Sequence, residues 1–239
     1  MMAMDCLSKL AHQITRLYSN LLPIPCLLCG VHCKTQPLCA DCIEDFPKLG
    51  DCCPRCATPL PTASVCGRCL SHPPEQTNSV SVFAYQSPID RLIADFKYHD
   101  KLYLTDIFAD AMVDRLKQTP LPELLIPIPL HHRRLKERGY NQSLELAKSL
   151  SKKLAIPIGN TILIRSRDTA PQASLPYEQR KRNMRRAFKL NPSSLPKHIA
   201  LIDDVLTTGH TANSAAKLLR HEGVSTIELW TIARTISHD

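Results

Sequence analysis

Two adjacent carboxylates near the C-terminal end of the chain occupy a position that suits a ligand rich in hydroxyl groups. Asp203 and Asp204 follow the apolar run over 199–202, and the sequence T-T-G-H-T continues from 207 to 211. A short apolar run bounded by turn residues is typical of a buried parallel strand, and residues 212–219 return to helical spacing. The sequence therefore predicts a strand, an acidic pair, a polar loop and a helix, in that order.

This predicted order of acids, loop and helix suits a phosphorylated sugar. The first turn of a helix offers unpaired backbone N–H groups and the positive end of its dipole to a phosphate. Gly209 lets the loop turn its N–H groups toward that anion, and the neighbouring threonine hydroxyls add donors. The acids repel a phosphate but accept hydrogen bonds from ribose hydroxyls, with Mg²⁺ offsetting their charge. We predict a site for a 5-phosphorylated ribose; the alternative is an ordinary strand–turn–helix junction.

A basic segment in the middle of the chain offers positive charge to a diphosphate. Residues 131–142 read H-H-R-R-L-K-E-R-G-Y-N-Q and follow the apolar run over 124–130. Guanidinium groups bind phosphates through paired N–H donors, and a glycine permits a close backbone approach. We predict a cationic loop, with a solvated basic surface as the alternative. Its candidate anion ligands are Arg133, Arg134, Lys136 and Arg138.

A long polar stretch over 165–188 lacks apolar periodicity. Loops of this length inside a compact domain are usually functional flaps or disordered segments. Lys97, at the end of another predicted helix, is a further candidate for an anion, with a solvated lysine as the alternative. From 131 to 189 the chain carries 15 Lys and Arg against 4 Asp and Glu, which favours an anionic ligand.

Eight cysteines form a duplicated metal-ligand pattern, C-x2-C-x9-C-x2-C, whose second copy is shifted by 27 residues. Four thiolates saturate a tetrahedral zinc and leave no position for water, so the pattern predicts two structural sites and not catalytic ones. The sequence leaves open whether neighbouring C-x-x-C pairs share a metal or the first pair joins the last. The predicted ligands are Cys26, Cys29, Cys39, Cys42, Cys53, Cys56, Cys66 and Cys69.

Three successive regions are expected to position these residues. The first is an N-terminal amphipathic helix within 1–24, with apolar residues at helical spacing over 5–22, and the second is a double zinc ribbon over 25–72. Alternating strands and helices over 78–239 predict an α/β domain with a mainly parallel sheet, whose ligand crevice lies at the carboxyl ends of the strands. The expected strands are 79–85, 124–130, 161–165, 199–202 and 228–233, and helices are expected from Ser87-Pro88, over 103–118 and over 143–154.

The bulk composition argues against membrane and secreted classes. No apolar run approaches the ~20 residues of a membrane-spanning helix, and no signal peptide is evident in the first residues. Cysteines paired as C-x-x-C in a chain without an export signal favour zinc and a reducing compartment over disulfides. Two zinc ions on eight thiolates would lower the formal charge of +8 to about +4. We predict a cytoplasmic protein without a membrane span.

The run L-I-D-D-V-L-T-T-G-H-T closely resembles the phosphoribosyl-pyrophosphate (PRPP) motif of type I phosphoribosyltransferases. The resemblance implies that Asp203 and Asp204 contact the ribose 2- and 3-hydroxyls of Mg²⁺-bound PRPP. It implies that the basic segment is the pyrophosphate loop, through Arg133, Arg134 and Arg138. It also implies that the polar stretch over 165–188 is a mobile flap that closes over PRPP, with the candidate contacts Gln172, Arg180, Asn183 and Arg186. The residues implied to hold the 5-phosphate are Thr207, Thr208, Gly209, His210 and Thr211.

Over 26–234 the chain resembles the ComF family, which joins a double zinc ribbon to a type I phosphoribosyltransferase-like domain with a Rossmann-like parallel sheet. That resemblance implies a role in natural competence, acting on incoming single-stranded DNA, with competence proteins such as a helicase as partners. Two hypotheses follow. One is an enzyme that transfers phosphoribosyl from PRPP and releases pyrophosphate. The other is a non-catalytic adaptor that binds single-stranded DNA and uses the PRPP pocket as a sensor or backbone site.

Overall fold

The structure, a computed structural model, falls into two compact units divided between Phe46 and Pro47. The helix predicted over 5–22 and the flap candidates Gln172, Arg180, Asn183 and Arg186 lie outside the described residues. Within the described part of the chain, no helix is long and apolar enough to cross a membrane. The residues described are 24–34, 36–99, 101–117, 119–166, 187–191 and 194–236.

The first unit contains one of the two cysteine groups on very short elements. Strand β1 (Ile24–Pro25) pairs antiparallel with β2 (His32–Cys33), and helix α1 (Ala40–Glu44) follows. Cys39 caps this helix, because its sulfur accepts the backbone N–H of Cys42. Elements this short bury little apolar surface, and a metal bound by the cysteine group would stabilise their arrangement.

The second unit is built on a four-stranded parallel sheet with the strand order β3–β8–β7–β4. The predicted α/β architecture is therefore confirmed. In chain order the elements are α2 (Gly67–Ser71), β3 (Asn78–Ala84), α3 (Ile89–Tyr98), α4 (Leu104–Leu116), β4 (Leu124–Pro127), α5 (His132–Arg138), α6 (Gln142–Leu154), β5 (Leu163–Arg165), β6 (Phe188–Leu190), β7 (His198–Leu206), α7 (His210–His221) and β8 (Thr226–Arg234).

Helices cover both faces of this sheet. The side chains of β7 point alternately to the two faces, so each face offers apolar residues for a helix to pack against. Ile199 and Leu201 share a buried cluster with Ala215 and Leu219 of α7. On the other face, α6 packs against β4 and β7, and α4 packs against α6. A strand buried on both sides is apolar at successive positions, which explains the run over 199–202.

The basic segment differs from its prediction, because it forms helix α5 and not a loop. Arginine, leucine, lysine and glutamate are strong helix formers, and Arg133 Nε lies 3.0 Å from Glu137 Oε1 one turn along the helix. Gly139 ends the helix in the left-handed region at φ 83°. The basic side chains are therefore spread around a short helix.

Two predicted strands also differ in extent or pairing. β4 ends at Pro127, earlier than predicted, because Pro127 and Pro129 lack the N–H group that a ladder needs. The strand predicted over 161–165 is present as β5, but it pairs antiparallel with β6, outside the four-stranded sheet.

Candidate functional site

The two carboxylates at the end of β7 are both bound by the first turn of α6. Ser143 Oγ donates to Asp203 Oδ1 at 3.0 Å, and Gln142 Nε2 donates to Asp204 Oδ2 at 2.6 Å. Lys97 Nζ lies 2.9 Å from the second oxygen of Asp204. The structure thus brings the predicted acids together at the carboxyl end of the sheet, with a protein partner on each.

Burial raises the pKa of one carboxyl of the pair, that of Asp203. Asp204 is 6% exposed. Burial and the neighbouring charge of Asp204 raise the pKa of Asp203 to about 7, although Lys97 and the Ser143 hydroxyl act against the shift. Near neutral pH the carboxyl of Asp203 is therefore divided between its protonated and ionised forms.

One arginine of the basic segment is connected to the acids through a neutral side chain. Arg138 Nη1 donates to Gln142 Oε1, while the amide nitrogen of Gln142 donates to Asp204. The guanidinium of Arg138 also lies 4.8 Å from the ring centroid of Tyr98, and the Tyr140 hydroxyl donates to the carbonyl oxygen of Phe96. The end of α3 therefore packs against the residues that follow α5.

The remaining basic candidates lie elsewhere on this segment. Arg133 is exposed and pairs with Glu137 on the same helix, Lys136 is exposed, and Arg134 is half-buried. Among the predicted diphosphate ligands, Arg138 is connected to the acidic pair through Gln142. Sequence reasoning named Lys97 as a candidate for an anion, whereas Lys97 here faces Asp204. It assigned no role to Gln142, although this residue ends the basic segment.

The loop between β7 and α7 has the geometry expected of an anion site. Thr207 and Thr208 are exposed, and His210 and Thr211 begin α7. Gly209 caps the helix at φ 76°, a left-handed conformation that glycine adopts without strain. Its carbonyl oxygen accepts the N–H of Asn213, so the preceding N–H groups of the first turn are directed outward. We refer to residues 207–211 as the phosphate loop.

Arg234, at the end of β8, holds the start of this loop and was not foreseen from the sequence. It is 7% exposed. Its Nη1 donates to the carbonyl oxygen of Leu206 at 2.9 Å and to that of Thr207. Its Nη2 donates to Thr58 Oγ1, within the second cysteine-rich segment, at 3.4 Å. A buried guanidinium with several acceptors fixes all of them relative to one another.

A cleft of about 740 Å³ opens beside the phosphate loop. One wall is formed by the second cysteine-rich segment and its continuation, including Arg68 and His72, and the other by α7, including Lys217 and His221. Residues 207–210 line the cleft between these walls. The second zinc ribbon is therefore a neighbour of the phosphate loop, within the same compact unit.

The eight predicted zinc ligands form two groups, each with its sulfur atoms within 4.8 Å of one another. A Zn–S bond of about 2.3 Å implies sulfur–sulfur distances of about 3.8 Å on a tetrahedron. Cys29 and Cys39 are 3.7 Å apart, as are Cys56 and Cys66. The groups, which both fit structural zinc, are Cys26, Cys29, Cys39 and Cys42, and Cys53, Cys56, Cys66 and Cys69.

The structure also settles the pairing that the sequence left open, because neighbouring C-x-x-C pairs share a group. Backbone N–H donors favour the ionised form of one sulfur in each group, that of Cys26 and that of Cys53. Burial acts against ionisation of Cys53, but N–H donors from Cys66 and Arg55 lower the pKa of its thiol to about 7. Cys33 and Cys52 belong to neither group.

Comparison with known proteins agrees with both parts of this architecture. Residues 141–238 match the family model described as phosphoribosyl transferase domain, and residues 17–70 match the double zinc ribbon domain. Competence protein F of Haemophilus influenzae is 35% identical over 90% of this chain and 99% of that protein. DNA utilization protein YhgH of Salmonella typhi is 32% identical over 83% and 91%. Competence protein ComFC of Streptococcus pneumoniae is 27% identical over 87% and 99%.

A parallel sheet, a double-acid strand end, a glycine-capped loop and two four-cysteine groups define a phosphoribosyltransferase-like protein with a double zinc ribbon. Because the chain is 35% identical to the Haemophilus protein over nearly its whole length, it can be assigned to a family within this class. The chain belongs to the competence protein F family.

Proposed function

We propose that this protein binds Mg²⁺-PRPP at the end of β7 and acts in natural competence in the cytoplasm, where it handles incoming single-stranded DNA. The observation that carries the proposal is the placement of Asp203 and Asp204 directly before a loop that Gly209 turns into the N-terminus of α7. The names of the relatives, competence protein and DNA utilization protein, support the biological part.

In this proposal the two ends of the site bind different parts of the ligand. The carboxylates accept hydrogen bonds from the ribose hydroxyls, and the N–H and hydroxyl groups of the phosphate loop donate hydrogen bonds to the 5-phosphate. Mg²⁺ prefers carboxylate and phosphate oxygens, so Asp203 and Asp204 are the residues that would hold it beside PRPP. When bound, the ion neutralises the diphosphate.

If the protein is catalytic, the reaction is phosphoribosyl transfer with release of pyrophosphate. The bond from the anomeric carbon to the diphosphate breaks, and an acceptor nucleophile takes its place. Positive charge that develops on the ribose is stabilised by Asp203 and Asp204, and Arg138 stabilises the departing diphosphate. The connection of Arg138 to Asp204 through Gln142 supports this division of roles.

A second candidate is a non-catalytic adaptor that binds single-stranded DNA, uses the PRPP pocket as a sensor and works with competence proteins such as a helicase. One observation favours it specifically: both acids already hold protein partners, Asp204 with Lys97 and Gln142, and Asp203 with Ser143. A ligand must replace or join these contacts, and that rearrangement would report occupancy to the rest of the domain.

Calorimetry with PRPP and Mg²⁺ tests the site. We expect the Asp203→Ala/Asp204→Ala variant to bind at least about tenfold more weakly than wild type, because a hydrogen bond to a charged group contributes about 1.5–3 kcal/mol. The control is Asp114→Ala, which removes an exposed carboxylate from α4. Equal binding by wild type and the double variant would place the PRPP site elsewhere.

Release of pyrophosphate distinguishes the enzyme from the adaptor. An enzyme should liberate pyrophosphate from PRPP when acceptors are supplied, and Asp204→Asn should abolish the release. If the protein is an adaptor, it should bind PRPP but release no pyrophosphate when nucleobases, ammonia or single-stranded DNA are supplied as acceptors.

A further inference from the structure

The cleft beside the phosphate loop extends well beyond the residues that a 5-phosphate needs. We call it the ribbon–helix cleft: Arg68 and His72 stand on the zinc-ribbon side, Lys217 and His221 on α7, and the loop residues 207–210 lie between them. Its volume of about 740 Å³ is that of a site for a ligand much larger than one phosphate. The acids of the PRPP motif do not line it.

The walls of this cleft carry exposed positive charge, beside a four-cysteine group that with zinc bound would carry a formal charge of −2 and whose Cys56 and Cys69 also line the cleft. The side chains of Arg68 and Lys217 are exposed and make no hydrogen bond or ion pair with another described residue. Glu75 is the one carboxylate among the described lining residues, and one of its oxygens lies 4.0 Å from Arg220 Nε. Exposed cations on the two walls of a cleft attract the phosphates of a polyanion.

The basic and polar groups on α7 lie in a row. Asn213, Lys217 and His221 line the cleft at four-residue intervals, so they share one face of the helix. Eight residues of helix span about 12 Å. A stacked nucleic acid strand advances about 3.4 Å per nucleotide, so the row has the length of a few nucleotides and leads to the phosphate loop.

The shape of the cleft favours a single strand over a duplex. It is a concave space between two walls of protein, and a volume of this size is too small to enclose a double helix. Imidazole rings of His72 and His221 and the flat side chains of Pro73 and Pro74 line it. Such surfaces accept the faces of unstacked bases.

We propose that the ribbon–helix cleft binds the phosphodiester backbone of a single-stranded nucleic acid, with Arg68 and Lys217 on its phosphates and one end of the bound segment beside the phosphate loop. This inference deepens the proposed function, because it names where the nucleic acid binds. In this proposal the second zinc ribbon contributes residues that contact the strand. These residues are different from the acids proposed to bind PRPP.

Fluorescence anisotropy with a labelled 20-nucleotide DNA strand tests the cleft. We expect Arg68→Ala/Lys217→Ala to weaken binding about tenfold or more and to lower the slope of log K against log salt by about 1.4, that is about 0.7 for each lost phosphate contact. The charge-matched control is Arg91→Ala/Lys152→Ala, which removes two exposed cations outside the cleft. Equal losses in the two double variants would overturn the proposal.

Three further arms keep the result interpretable. Single-stranded RNA shares the phosphodiester chemistry, and its affinity relative to DNA identifies which strand the cleft prefers. Equal or stronger binding of duplex DNA would overturn the single-strand assignment.

Since Arg68 adjoins a zinc ligand, Lys217→Ala alone is also measured. This variant should bind the strand more weakly than wild type, with its zinc content unchanged. The cleft variants should bind PRPP as wild type does, whereas Asp203→Ala/Asp204→Ala should keep its affinity for the strand, so failure here is distinct from failure of the PRPP site.

Discussion

Arg234 Nη1 lies 2.9 Å from the carbonyl oxygen of Leu206, the last residue of β7, and donates a hydrogen bond to it. The same guanidinium reaches Thr58 Oγ1 at 3.4 Å, and the Thr58 hydroxyl lies 3.2 Å from the sulfur of Cys56. Two side chains therefore connect a zinc ligand to the start of the phosphate loop.

The first prediction concerns this connection. We expect Arg234→Ala to lower the free energy of unfolding by about 2 kcal/mol, because hydrogen bonds from a charged donor contribute about 1.5–3 kcal/mol each. The variant should also bind PRPP more weakly, since the loop loses its support. Urea unfolding and calorimetry measure the two effects. Arg91→Ala, an exposed arginine on α3, should change stability by less than about 0.5 kcal/mol; a loss of similar size there would contradict the assignment.

The two zinc groups should differ in what they stabilise. Cys53→Ser/Cys69→Ser removes ligands inside the unit that also holds the sheet, whereas Cys26→Ser/Cys29→Ser acts on the other unit. Trp230 is the single tryptophan of the chain and is fully buried in β8, so its fluorescence reports unfolding of the sheet. We expect the first variant to lower the midpoint of the tryptophan transition by several degrees and the second to leave it nearly unchanged. Equal shifts would contradict this division.

The raised pKa of Asp203 predicts a pH dependence of stability and of binding. This carboxyl titrates near pH 4 in the unfolded chain and near 7 in the folded one, so protonation favours the fold. The stabilising contribution is fully present below about pH 4 and is lost as pH rises through about 7. Affinity for Mg²⁺-PRPP, which needs the ionised acid, should increase over the same upper range.

Asp203→Asn is the matched variant for this pH prediction, because its amide oxygen can still accept from Ser143. Urea unfolding of wild type and variant between pH 5 and 8 should show a difference that changes with pH. PRPP affinity of the variant should be weak and flat across the same range. Parallel stability profiles for the two proteins would show that the Asp203 carboxyl ionises normally.

A buried carboxylate at the other end of the sheet supplies a stability prediction. Glu228 accepts from Trp230 Nε1 at 2.6 Å and contacts His198 Nε2 at 2.8 Å, and it is 5% exposed. Glu228→Ala leaves the indole N–H buried without an acceptor, which costs about 1–3 kcal/mol. Glu228→Gln, which retains an acceptor, should lose less. Chemical denaturation measures both, with exposed Glu222→Ala as the control expected to stay within about 0.5 kcal/mol.

Much of the site could be read from local sequence because its chemistry is contiguous. A strand, two acids, a glycine and a helix start within thirteen residues, and each C-x-x-C knuckle is complete in four. Gly209 has the positive φ that its place in the motif required. These features depend on backbone geometry close to the residue itself, which residue type controls directly.

The contacts between distant segments could not be read in this way. Gln142 and Arg234 bind groups 62 and 28 residues away, respectively, and local sequence does not show which distant groups they reach. The basic segment was predicted to be a loop from its charge, but the same residues are strong helix formers, and this propensity determines its structure. Likewise, the position of the second zinc ribbon beside the phosphate loop depends on packing, which leaves no local periodicity.

The amide of Gln142 has a consequence for which side chains this position accepts. Its oxygen faces a cation, Arg138, and its nitrogen faces an anion, Asp204. A glutamate here would repel the acid and a lysine would repel the guanidinium, while a hydrocarbon would satisfy neither. Only a neutral, two-ended dipole of this length serves both neighbours, and its orientation is set by them. A molecule with a sugar at one end and a diphosphate at the other carries the same polarity along its length, and would meet the same two charges.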